Sequence, residues 1–451
     1  MDKNIQDFVT ELLKKAEEAG FIEAEAVYGA DSTMSVSARE GKIVEYENNE
    51  SSSLSFRGLF NGQMGYASTE DIRPEMIPFL LEQAKDNCSV LEVKEKITVY
   101  EGEKEYPEFN GFFEELTSID YDYLANTALS LEQALLAYDS RIEAVDDCFA
   151  VYGSAEIMIR NSKGMHCESR TNGFDVYIGC RAKEGEDVQT YGKGWSFTDL
   201  SQFNIQECVN KVGRRVIDKL GAKPVPSAIL PIVLDKVAAR ALLASFAGSF
   251  SAEAIQKGIS RLVGKLGEVI ADSKITLIDE GMIEGSALCM PFDSEGVSAK
   301  RTVLIDKGRF TSELHNRKTA LVDGVESTGN ATGGTKGPLG IAPTNLYFEK
   351  GQYTQDELFE KMGNGIYITA VYGLHAGINA ISGDFSLMSE GFLIENGKIG
   401  KPVNQITIAD NFFDVLMKVE ALANDVDYTT PESTHIQSPS LLIPDVSVAG
   451  E

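Results

Sequence analysis

The sequence predicts an α+β fold, in which an amino-terminal region of helix and antiparallel sheet precedes a β-rich carboxy-terminal domain. Three observations support this class. Apolar residues recur at helical spacing at the start of the chain, short runs of alternating apolar and polar residues dominate the remainder, and a stretch with two prolines separates the two halves. A chain of 451 residues is longer than a single hydrophobic core usually accommodates, so two or three domains are expected.

The first part of the chain is predicted to begin with an amphipathic helix over residues 4–19. Its apolar positions are Ile5, Phe8, Leu12 and Ala16. Alternating runs then predict strands, and Asn61-Gly62 between two of them indicates a hairpin, because both residues tolerate a positive φ. A second helix is predicted over 69–87, followed by a loop over 88–110.

The middle of the chain is predicted to contain further helices and an antiparallel meander. A helix or helix pair is predicted over residues 111–139. Alternation over 156–195 predicts an antiparallel meander, and a further helix is predicted over 200–219.

The best candidate for a domain boundary is the stretch GAKPVPSA (Gly221–Ala228). Its two nearby prolines prevent a helix from continuing, so it is predicted to be a linker. We therefore predict an amino-terminal α+β domain over residues 1–222, with possible sub-segments 1–90 and 110–222. The β-rich carboxy-terminal domain is predicted over 223–451.

The second half opens with a predicted strand and a helix of little chemical capacity. The helix is predicted over residues 235–258, within LDKVAARALLASFAGSFSAEAIQKG, where after Asp235 at its start only Glu253 could bind a metal ion or move a proton well. Short alternating runs then continue almost to the end of the chain, which is typical of a β-rich domain. Residue chemistry alone gives this helix no catalytic role.

Charge and composition exclude several classes of protein. The formal net charge is −28, which repels phosphate backbones, so no nucleic-acid partner is expected. No apolar run approaches the roughly 18 residues that a membrane span requires, and charged residues interrupt every apolar stretch near the first methionine. We therefore expect a cytoplasmic protein that has no membrane partner.

The sequence contains no familiar metal or nucleotide motif. Its histidines are His166, His315, His375 and His435, which are far apart, and its six cysteines form no Cys-x-x-Cys pair. The stretch TGGTKGPLG (332–340) resembles a phosphate loop, but Gly337 follows its lysine where serine or threonine is required. A glycine-rich loop is the better interpretation of that stretch. We expect neither a metal nor a cofactor on this chain.

The densest cluster of polar residues and glycines lies in the segment Tyr372–Gly397. Its candidate peptide-binding or interface residues are His375, Gly377, Asn379, Ser382, Gly383 and Asp384. Two interpretations stay open: glycines let an extended peptide approach the backbone, but such a sequence is also typical of a tight turn whose polar groups bind their own backbone. The second candidate is the STGN stretch, which comprises Ser327, Thr328, Gly329 and Asn330.

Five stretches, in the same order along nearly the whole chain, resemble the TldD/PmbA family and more closely its PmbA (TldE) branch. They lie at Arg39–Ser68, Pro231–Gly258, Ser327–Ala331, Pro343–Gly351 and Ser382–Ile399. TldD-like members carry a His-Glu-x-x-x-His motif in the helix of the second stretch, where the histidines bind zinc and the glutamate can act as general base. The resemblance places Ala244, Ser245 and Ser249 at those three positions. Alanine cannot bind zinc, and serine is a poor ligand for it.

The resemblance therefore implies that this chain holds no catalytic zinc and that its unreactive helix packs and shapes a cavity. PmbA-like members pair with a TldD-like subunit that holds the zinc. The heterodimer is a metallopeptidase that acts on unfolded or extended peptides, in proteolysis and in peptide maturation. The family's older label, modulator of DNA gyrase, finds no support in the charge of this chain. We expect the Tyr372–Gly397 segment to line the peptide chamber or the subunit interface.

Two alternatives to this function stay open. One is a homodimeric peptide-binding protein without catalysis, since symmetric homodimers are the commonest oligomers. The other is a hydrolase with an unrecognised site, such as His375 with Asp384 or a cysteine. A homodimer in isolation is also compatible with the heterodimer, because the same surface can serve both.

Overall fold

The α+β class predicted from the sequence is confirmed by a computed structural model, which describes residues 2–90, 98–333 and 339–451. Part of the loop predicted over 88–110 and the middle of the glycine-rich stretch 332–340 lie outside the described residues. None of the helices in the described ranges combines the length and apolarity needed to cross a membrane.

Groups of strands are separated by helices along both halves of the chain. The α-helices are α1 (Lys3–Glu18), α2 (Ile77–Val90), α3 (Tyr121–Leu136), α4 (Ile205–Asp218), α5 (Lys236–Phe246), α6 (Ala252–Gln256), α7 (Arg317–Asp323), α8 (Gln355–Met362) and α9 (Phe412–Lys418). The strands are β1 (Glu23–Arg39), β2 (Lys42–Phe60), β3 (Gln63–Thr69), β4 (Ile142–Asn161), β5 (His166–Glu184), β6 (Asp187–Phe197), β7 (Ala228–Leu234), β8 (Leu277–Glu280), β9 (Arg301–Asp306), β10 (Arg309–Phe310), β11 (Ala331–Thr332), β12 (Gly340–Ile341), β13 (Leu346–Phe348), β14 (Gly365–Tyr372), β15 (Asp384–Glu395), β16 (Lys398–Asn411), β17 (Ala421–Leu422), β18 (Ile436–Gln437) and β19 (Leu441–Ala449).

The amino-terminal half is built around one six-stranded antiparallel sheet in the order β3-β2-β1-β4-β5-β6. Two successive units form it: α1, β1–β3 and α2 make one, and α3, β4–β6 and α4 make the other. The units join through their first strands, which pair from Glu25 opposite Asn161 to Ser37 opposite Phe149. The helices of each unit pack on its part of the sheet through a separate apolar cluster. This strand order leaves β3 and β6 at the edges of the sheet.

Local sequence signals account for several of these elements. The helix predicted over residues 4–19 is α1, and Phe8 and Leu12 on its apolar face are buried. Asn61 and Gly62 both have positive φ, at 52° and 81°, in the turn between β2 and β3. The hairpin predicted there is therefore confirmed.

The helix predicted over 69–87 begins later than expected. Thr69 is the last residue of β3, and α2 begins only at Ile77, after a 3-10 turn over Pro74–Met76. Proline disfavours helical dihedral angles in the residue before it, and Arg73 is accordingly extended, with φ −98° and ψ 146°. The proline therefore delays the helix.

The carboxy-terminal half contains a closed β-barrel and a smaller sheet. The barrel has the strand order β16-β15-β14-β7-β19, and β16 also pairs with β19, which closes it. The smaller sheet has the order β10-β9-β8-β13-β18. Helix α5 contacts β7 and β14 of the barrel and β18 of the smaller sheet, so its packing joins the two.

The single helix predicted over 235–258 is broken into three parts. Helix α5 ends at Phe246, a 3-10 turn covers Ala247–Phe250, and α6 follows. The break comes from a contact that is distant in sequence, because Ser251 is extended and pairs with Leu314. A residue held in an extended bridge cannot continue a helix, so the segment turns at this point.

Leu243 tests whether α5 stabilises the carboxy-terminal half by packing. Its side chain is fully buried, so Leu243→Ala should leave a cavity and lower the free energy of unfolding by about 2–5 kcal/mol. Leu321→Ala is the matched control, since Leu321 also lies in a helix, α7, but is 67% exposed. Its effect should be within about 0.5 kcal/mol. Urea denaturation followed by circular dichroism measures both variants, and equal losses would contradict the packing role of α5.

Candidate functional site

The three positions that the resemblance compares with the zinc motif hold one side chain without a ligand atom and two hydroxyls that are already hydrogen-bonded. Ala244 is exposed and has no ligand atom. The hydroxyl of Ser245 donates to the carbonyl oxygen of Ala241 at 2.8 Å. Ser249 is buried, and its hydroxyl donates to the carbonyl oxygen of Ala380 at 3.4 Å. Because both hydroxyls are bound to backbone carbonyls, this segment contributes packing and local hydrogen bonds.

The chain from the motif positions (244–249) to Arg261 lies against the polar cluster predicted at Tyr372–Gly397. Ser249 contacts it through Ala380, and the Nη1 atom of Arg261 donates to the carbonyl oxygen of Ser382 at 2.8 Å. The structure therefore brings together two regions that sequence analysis identified separately.

The polar groups of this cluster bind one another in a tight turn. The Oδ1 atom of Asn379 accepts hydrogen bonds from the backbone N–H groups of Ile381 and Ser382, both at 3.1 Å. The carboxylate of Asp384 accepts from Asn411 at 2.8 Å and from the Ser382 hydroxyl at 2.7 Å. These two hydrogen bonds lower the pKa of Asp384. Of the two interpretations left open by the sequence, the self-satisfied turn describes these residues.

The glycines of the cluster serve close backbone packing. Gly383 has φ 90°, and a side chain there would place Cβ 2.8 Å from the ring of Phe413. A Cβ at Gly377 would lie 2.2 Å from the carbonyl oxygen of Ser386. Strand β15, which comes next in the chain, is paired with β14 on one side and β16 on the other. An extended peptide therefore has no free edge along β15 to which it could add.

The proposed catalytic pair of His375 and Asp384 is not assembled. His375 is exposed, and no hydrogen bond or ion pair joins it to Asp384 in the part of the chain that the structure describes. The cysteines are also poorly suited to nucleophilic catalysis, because burial raises the pKa of the Cys148 thiol to about 12 and that of Cys167 to about 11. These observations do not favour the alternative of an unrecognised hydrolase site.

The STGN stretch forms a hydrogen-bond network that includes the backbone of His315. The hydroxyl of Thr328 accepts a hydrogen bond from the backbone N–H of His315 at 2.7 Å and donates to Asn330 at 2.6 Å. Asn330 is 1% exposed and donates to the carboxylate of Asp279 at 2.7 Å. Burial raises the pKa of Asp279 to about 6, although Asn330 and Thr344 donate hydrogen bonds to it. The stretch therefore fixes a backbone turn.

The remaining STGN residues belong to the same turn. The hydroxyl of Ser327 donates to the carbonyl oxygen of His315 at 3.1 Å. Gly329 has φ 76°, and a Cβ there would lie 2.8 Å from the carbonyl oxygen of Ser298. The four residues thus hold the backbone of His315 in place.

Beside this network, Glu313, His315 and Asp323 bring potential metal-binding atoms within 4.8 Å of one another. Burial raises the pKa of Glu313 and lowers the pKa of His315. This cluster was not predicted from the sequence. Asp323 lies close to Glu313 and His315 only because helix α7 ends at this residue.

A cleft of about 1650 Å³ lies between the two halves of the chain. One wall comes from β6 and α4 of the amino-terminal half, and the other from the start of α5, β14 and residues 426–438. Its aromatic lining residues are Tyr177, Tyr191, Trp195, Phe197, Tyr367, Tyr372 and Phe392. Tyr372 and Phe392 belong to the polar segment noted in the sequence, but among the described residues none of the individual candidate site residues lines this cleft.

Strand β6 presents part of its backbone to the cleft, because it is an edge strand. On its outer edge, the carbonyl oxygen of Thr190 accepts from the Nζ atom of Lys219 at 2.6 Å, and the N–H of Ser196 donates to the carbonyl oxygen of Pro431 at 2.8 Å. Outward-facing residues alternate in an antiparallel ladder, so Gly192 and Gly194 face the same way. Within the described residues, their outer backbone groups have no partner.

Tyr177 of the neighbouring strand packs over the two glycines on one face of the sheet. A Cβ at Gly192 would lie 2.2 Å from the hydroxyl oxygen of Tyr177, so the aromatic ring occupies the space that a side chain would need. The sequence signal is the alternation of glycine in GKGW (Gly192–Trp195). Its meaning depends on the strand order, since only an edge strand exposes such groups.

Ion pairs hold the two walls of the cleft together. The carboxylate of Glu432 accepts hydrogen bonds from Lys193 at 2.7 Å, from Trp195 at 3.3 Å and from Lys211. Deeper in the contact, Lys219 pairs with Glu390 at 2.8 Å, and both side chains are at least 87% buried. These contacts join the edge strand β6 and α4 to the carboxy-terminal half.

Comparison with known proteins identifies the family of this fold. Models of the PmbA/TldA metallopeptidase match three successive regions: domain 1 over residues 24–88, the central domain over 114–220 and the C-terminal domain over 227–450. The chain belongs to the PmbA/TldD family. The PmbA/TldD resemblance recognised in the sequence is confirmed.

Individual relatives agree with this assignment. The chain is 26% identical to the metalloprotease PmbA of Escherichia coli O157:H7 over 445 residues, which cover 95% of this chain and 92% of the relative. It is 27% identical to a metalloprotease of Methanothermobacter thermautotrophicus over 88% of this chain and 87% of the relative.

Solved structures of the PmbA/TldD family share the whole architecture. A Thermotoga maritima protein, labelled a candidate modulator of a DNA gyrase, has a TM-score of 0.90 and 29% identity and covers 98% of this chain and 100% of that one. TldE of Thermococcus kodakarensis has a TM-score of 0.87 at 22% identity, with coverage of 98% and 100%, which shows a common fold.

Glu432 tests the contact across the cleft through its pH dependence. Burial alone would raise its pKa, but hydrogen bonds from Lys193 and Lys211 outweigh burial and lower the pKa to about 2. A carboxyl with a lowered folded-state pKa contributes stability above its unfolded pKa and loses it as pH falls through the folded value. Glu432→Gln should therefore lower the urea midpoint most above about pH 5.

The difference between wild type and Glu432→Gln should shrink toward zero near pH 2, because the protonated carboxyl then resembles the amide. Urea titrations across this range measure it. Glu186→Gln, at an exposed turn position, is the control and should leave the midpoint unchanged at every pH. A difference for Glu432→Gln that does not vary with pH would contradict the ion-pair explanation.

Proposed function

We propose that this chain is the subunit without catalytic zinc of a cytoplasmic TldD/TldE-type metallopeptidase that cleaves unfolded or extended peptides. The supporting observation is the open cleft beside a free strand edge in a member of a metallopeptidase family whose zinc-motif positions hold Ala244, Ser245 and Ser249. The zinc and its general base would belong to a TldD-like partner in a heterodimer. In isolation the same chain could form a homodimer.

The cleft suits a peptide in extended conformation. Such a peptide can add to β6 as a further strand, because the outer backbone groups of Gly192 and Gly194 are available to it. Backbone pairing does not depend on peptide sequence, whereas the aromatic lining provides apolar contact for side chains. A folded substrate has its backbone groups already paired, so this mode selects unfolded or extended chains.

This geometry changes the residues to which we assign the peptide. The turn formed by Asn379, Ser382 and Asp384 is self-satisfied, and Ser327–Asn330 supports the backbone of His315. We propose that these two regions shape the chain around the motif positions. Exposed His375 is left as the candidate residue for contact with the partner subunit.

A second candidate function is a peptide-binding protein without catalysis. The observation that favours it is that one chain alone provides both walls of the cleft. Peptide binding by the isolated chain agrees with both functions, so only catalysis in a mixture with a TldD-like subunit separates them.

Reconstitution tests the subunit role. An unfolded peptide should be hydrolysed by a mixture of this chain and a TldD-like subunit with an intact motif, and far more slowly by either protein alone. Replacing the partner's motif glutamate by glutamine should abolish the activity, because that residue is the expected general base. Ser245→Ala and Ser249→Ala in this chain should keep the rate within about twofold, since neither hydroxyl takes part in the chemistry.

Two results would overturn the subunit role. One is full activity of the TldD-like subunit without this chain. The other is hydrolysis by this chain alone after treatment with a chelator. That result would mean that the catalytic site lies on this chain.

The β6 edge is tested by a proline that removes one outward N–H group. Proline is tolerated on edge strands, so Gly194→Pro should keep the fold while the Kd of an unstructured fluorescent peptide rises about tenfold. Val188→Pro is the matched control, because Val188 is also in β6 but does not line the cleft. Fluorescence anisotropy with the isolated chain measures both, and an equal Kd for the two variants would contradict peptide addition at this edge.

A further inference from the structure

The cluster of Glu313, His315 and Asp323 is separate from the cleft and from the motif positions. Its potential ligand atoms, one from each side chain, lie within 4.8 Å of one another. A carboxylate pair with an imidazole is a donor set that divalent transition metals accept. The peptidase role of the chain neither requires nor explains this cluster.

The backbone between Glu313 and His315 is held by hydrogen bonds to the segment 250–252. The N–H of Leu314 donates to the carbonyl oxygen of Phe250 and its carbonyl accepts from the N–H of Ala252, both at 2.9 Å. Leu314 itself is buried in the core. Since successive side chains of an extended segment alternate in direction, Glu313 and His315 point to the side opposite Leu314.

The third residue is placed by the ends of α7. Asn316 caps the start of this helix, and its Oδ1 atom accepts from the N–H of Thr319 at 2.9 Å. Gly324 ends the helix in a left-handed conformation with φ 69°, so Asp323 is its last residue. The Nε2 atom of Gln256 donates to Oδ2 of Asp323 at 2.9 Å, which orients this carboxylate. Such supporting hydrogen bonds are typical around metal ligands.

Two buried atoms of the cluster lack hydrogen-bond partners among the described residues. They are Nδ1 of His315 and Oε2 of Glu313. His315 is only 6% exposed, so water does not readily replace the missing partner. Buried polar atoms are normally paired, so an unpaired imidazole nitrogen and an unpaired carboxylate oxygen within one group of potential metal ligands point to a missing ligand.

We propose that Glu313, His315 and Asp323 bind one zinc ion at a site distinct from the degenerate zinc motif. The charges fit, since two carboxylates and a neutral imidazole balance a divalent cation. Ligand atoms around tetrahedral zinc are roughly 3.3 Å apart, so the side chains need to close by about 1.5 Å at most. Water would complete the coordination. The ion would fasten α7 to the extended segment that pairs with Ser251, next to the motif positions.

Zinc content of the purified full-length chain tests this site. After incubation with zinc chloride and desalting, mass spectrometry should find about one zinc per wild-type chain and almost none in His315→Ala. His375→Ala is the matched control, because His375 is exposed and outside the cluster; it should keep about one zinc. Asp323→Asn, an exposed and structurally mild change, should weaken zinc binding at least about tenfold.

Thermal unfolding of the same proteins tests the zinc site independently. Zinc should raise the Tm of the wild type and of His375→Ala but not that of His315→Ala, because an ion that binds only the folded state stabilises it. A wild-type chain without bound zinc, or a His315→Ala variant that retains as much as the wild type, would overturn the site. Neither result bears on the reconstituted peptidase activity, whose zinc belongs to the partner.

Discussion

The ion pairs between Glu432 and the lysines of the opposite wall fix the geometry on which the proposed function depends. Lys193 lies on the edge strand β6 and Lys211 on α4, whereas Glu432 lies in the carboxy-terminal half. Their contact, with the buried pair of Lys219 and Glu390, sets the spacing of the cleft. A partly buried carboxylate that two ammonium groups hold ionised resists separation, because separating them would leave charges unpaired. The strand edge therefore faces a defined wall.

Helix α5 has few reactive side chains, and its packing explains its role in the fold. Leu243 and Phe246 are fully buried, and the Phe246 ring stacks on Phe412 with a centroid distance of 4.6 Å. The motif positions lie at its end, where Ser249 is buried in a 3-10 turn. Around these positions the chain has apolar contacts and hydroxyls bound to backbone carbonyls. The helix therefore helps to form the core of the carboxy-terminal half.

Sequence reasoning succeeded where the determining interactions were local. Helical spacing predicted α1, and Asn61-Gly62 predicted the hairpin between β2 and β3. It failed where a contact between residues distant in sequence determines the local structure. At Ser251, for example, pairing with Leu314 breaks the helix predicted over 235–258. The cleft was missed for the same reason, since Gly194 becomes an exposed edge position only through the strand order. The glycines and polar residues near Asp384 were noticed, but only the hydrogen bonds distinguish a closed turn from a binding surface.

Amide hydrogen exchange at β6 tests the central claim, that an extended peptide lies along this edge in the cleft. Exchange of the isolated chain is followed by mass spectrometry with residue-level fragmentation, with and without a short unstructured peptide. The account predicts that the peptide slows exchange at Gly192 and Gly194 but not at Val188, which lies in the same strand outside the cleft lining. Unchanged exchange at both glycines, with protection appearing instead around His375, would contradict it and return the peptide to the Tyr372–Gly397 segment.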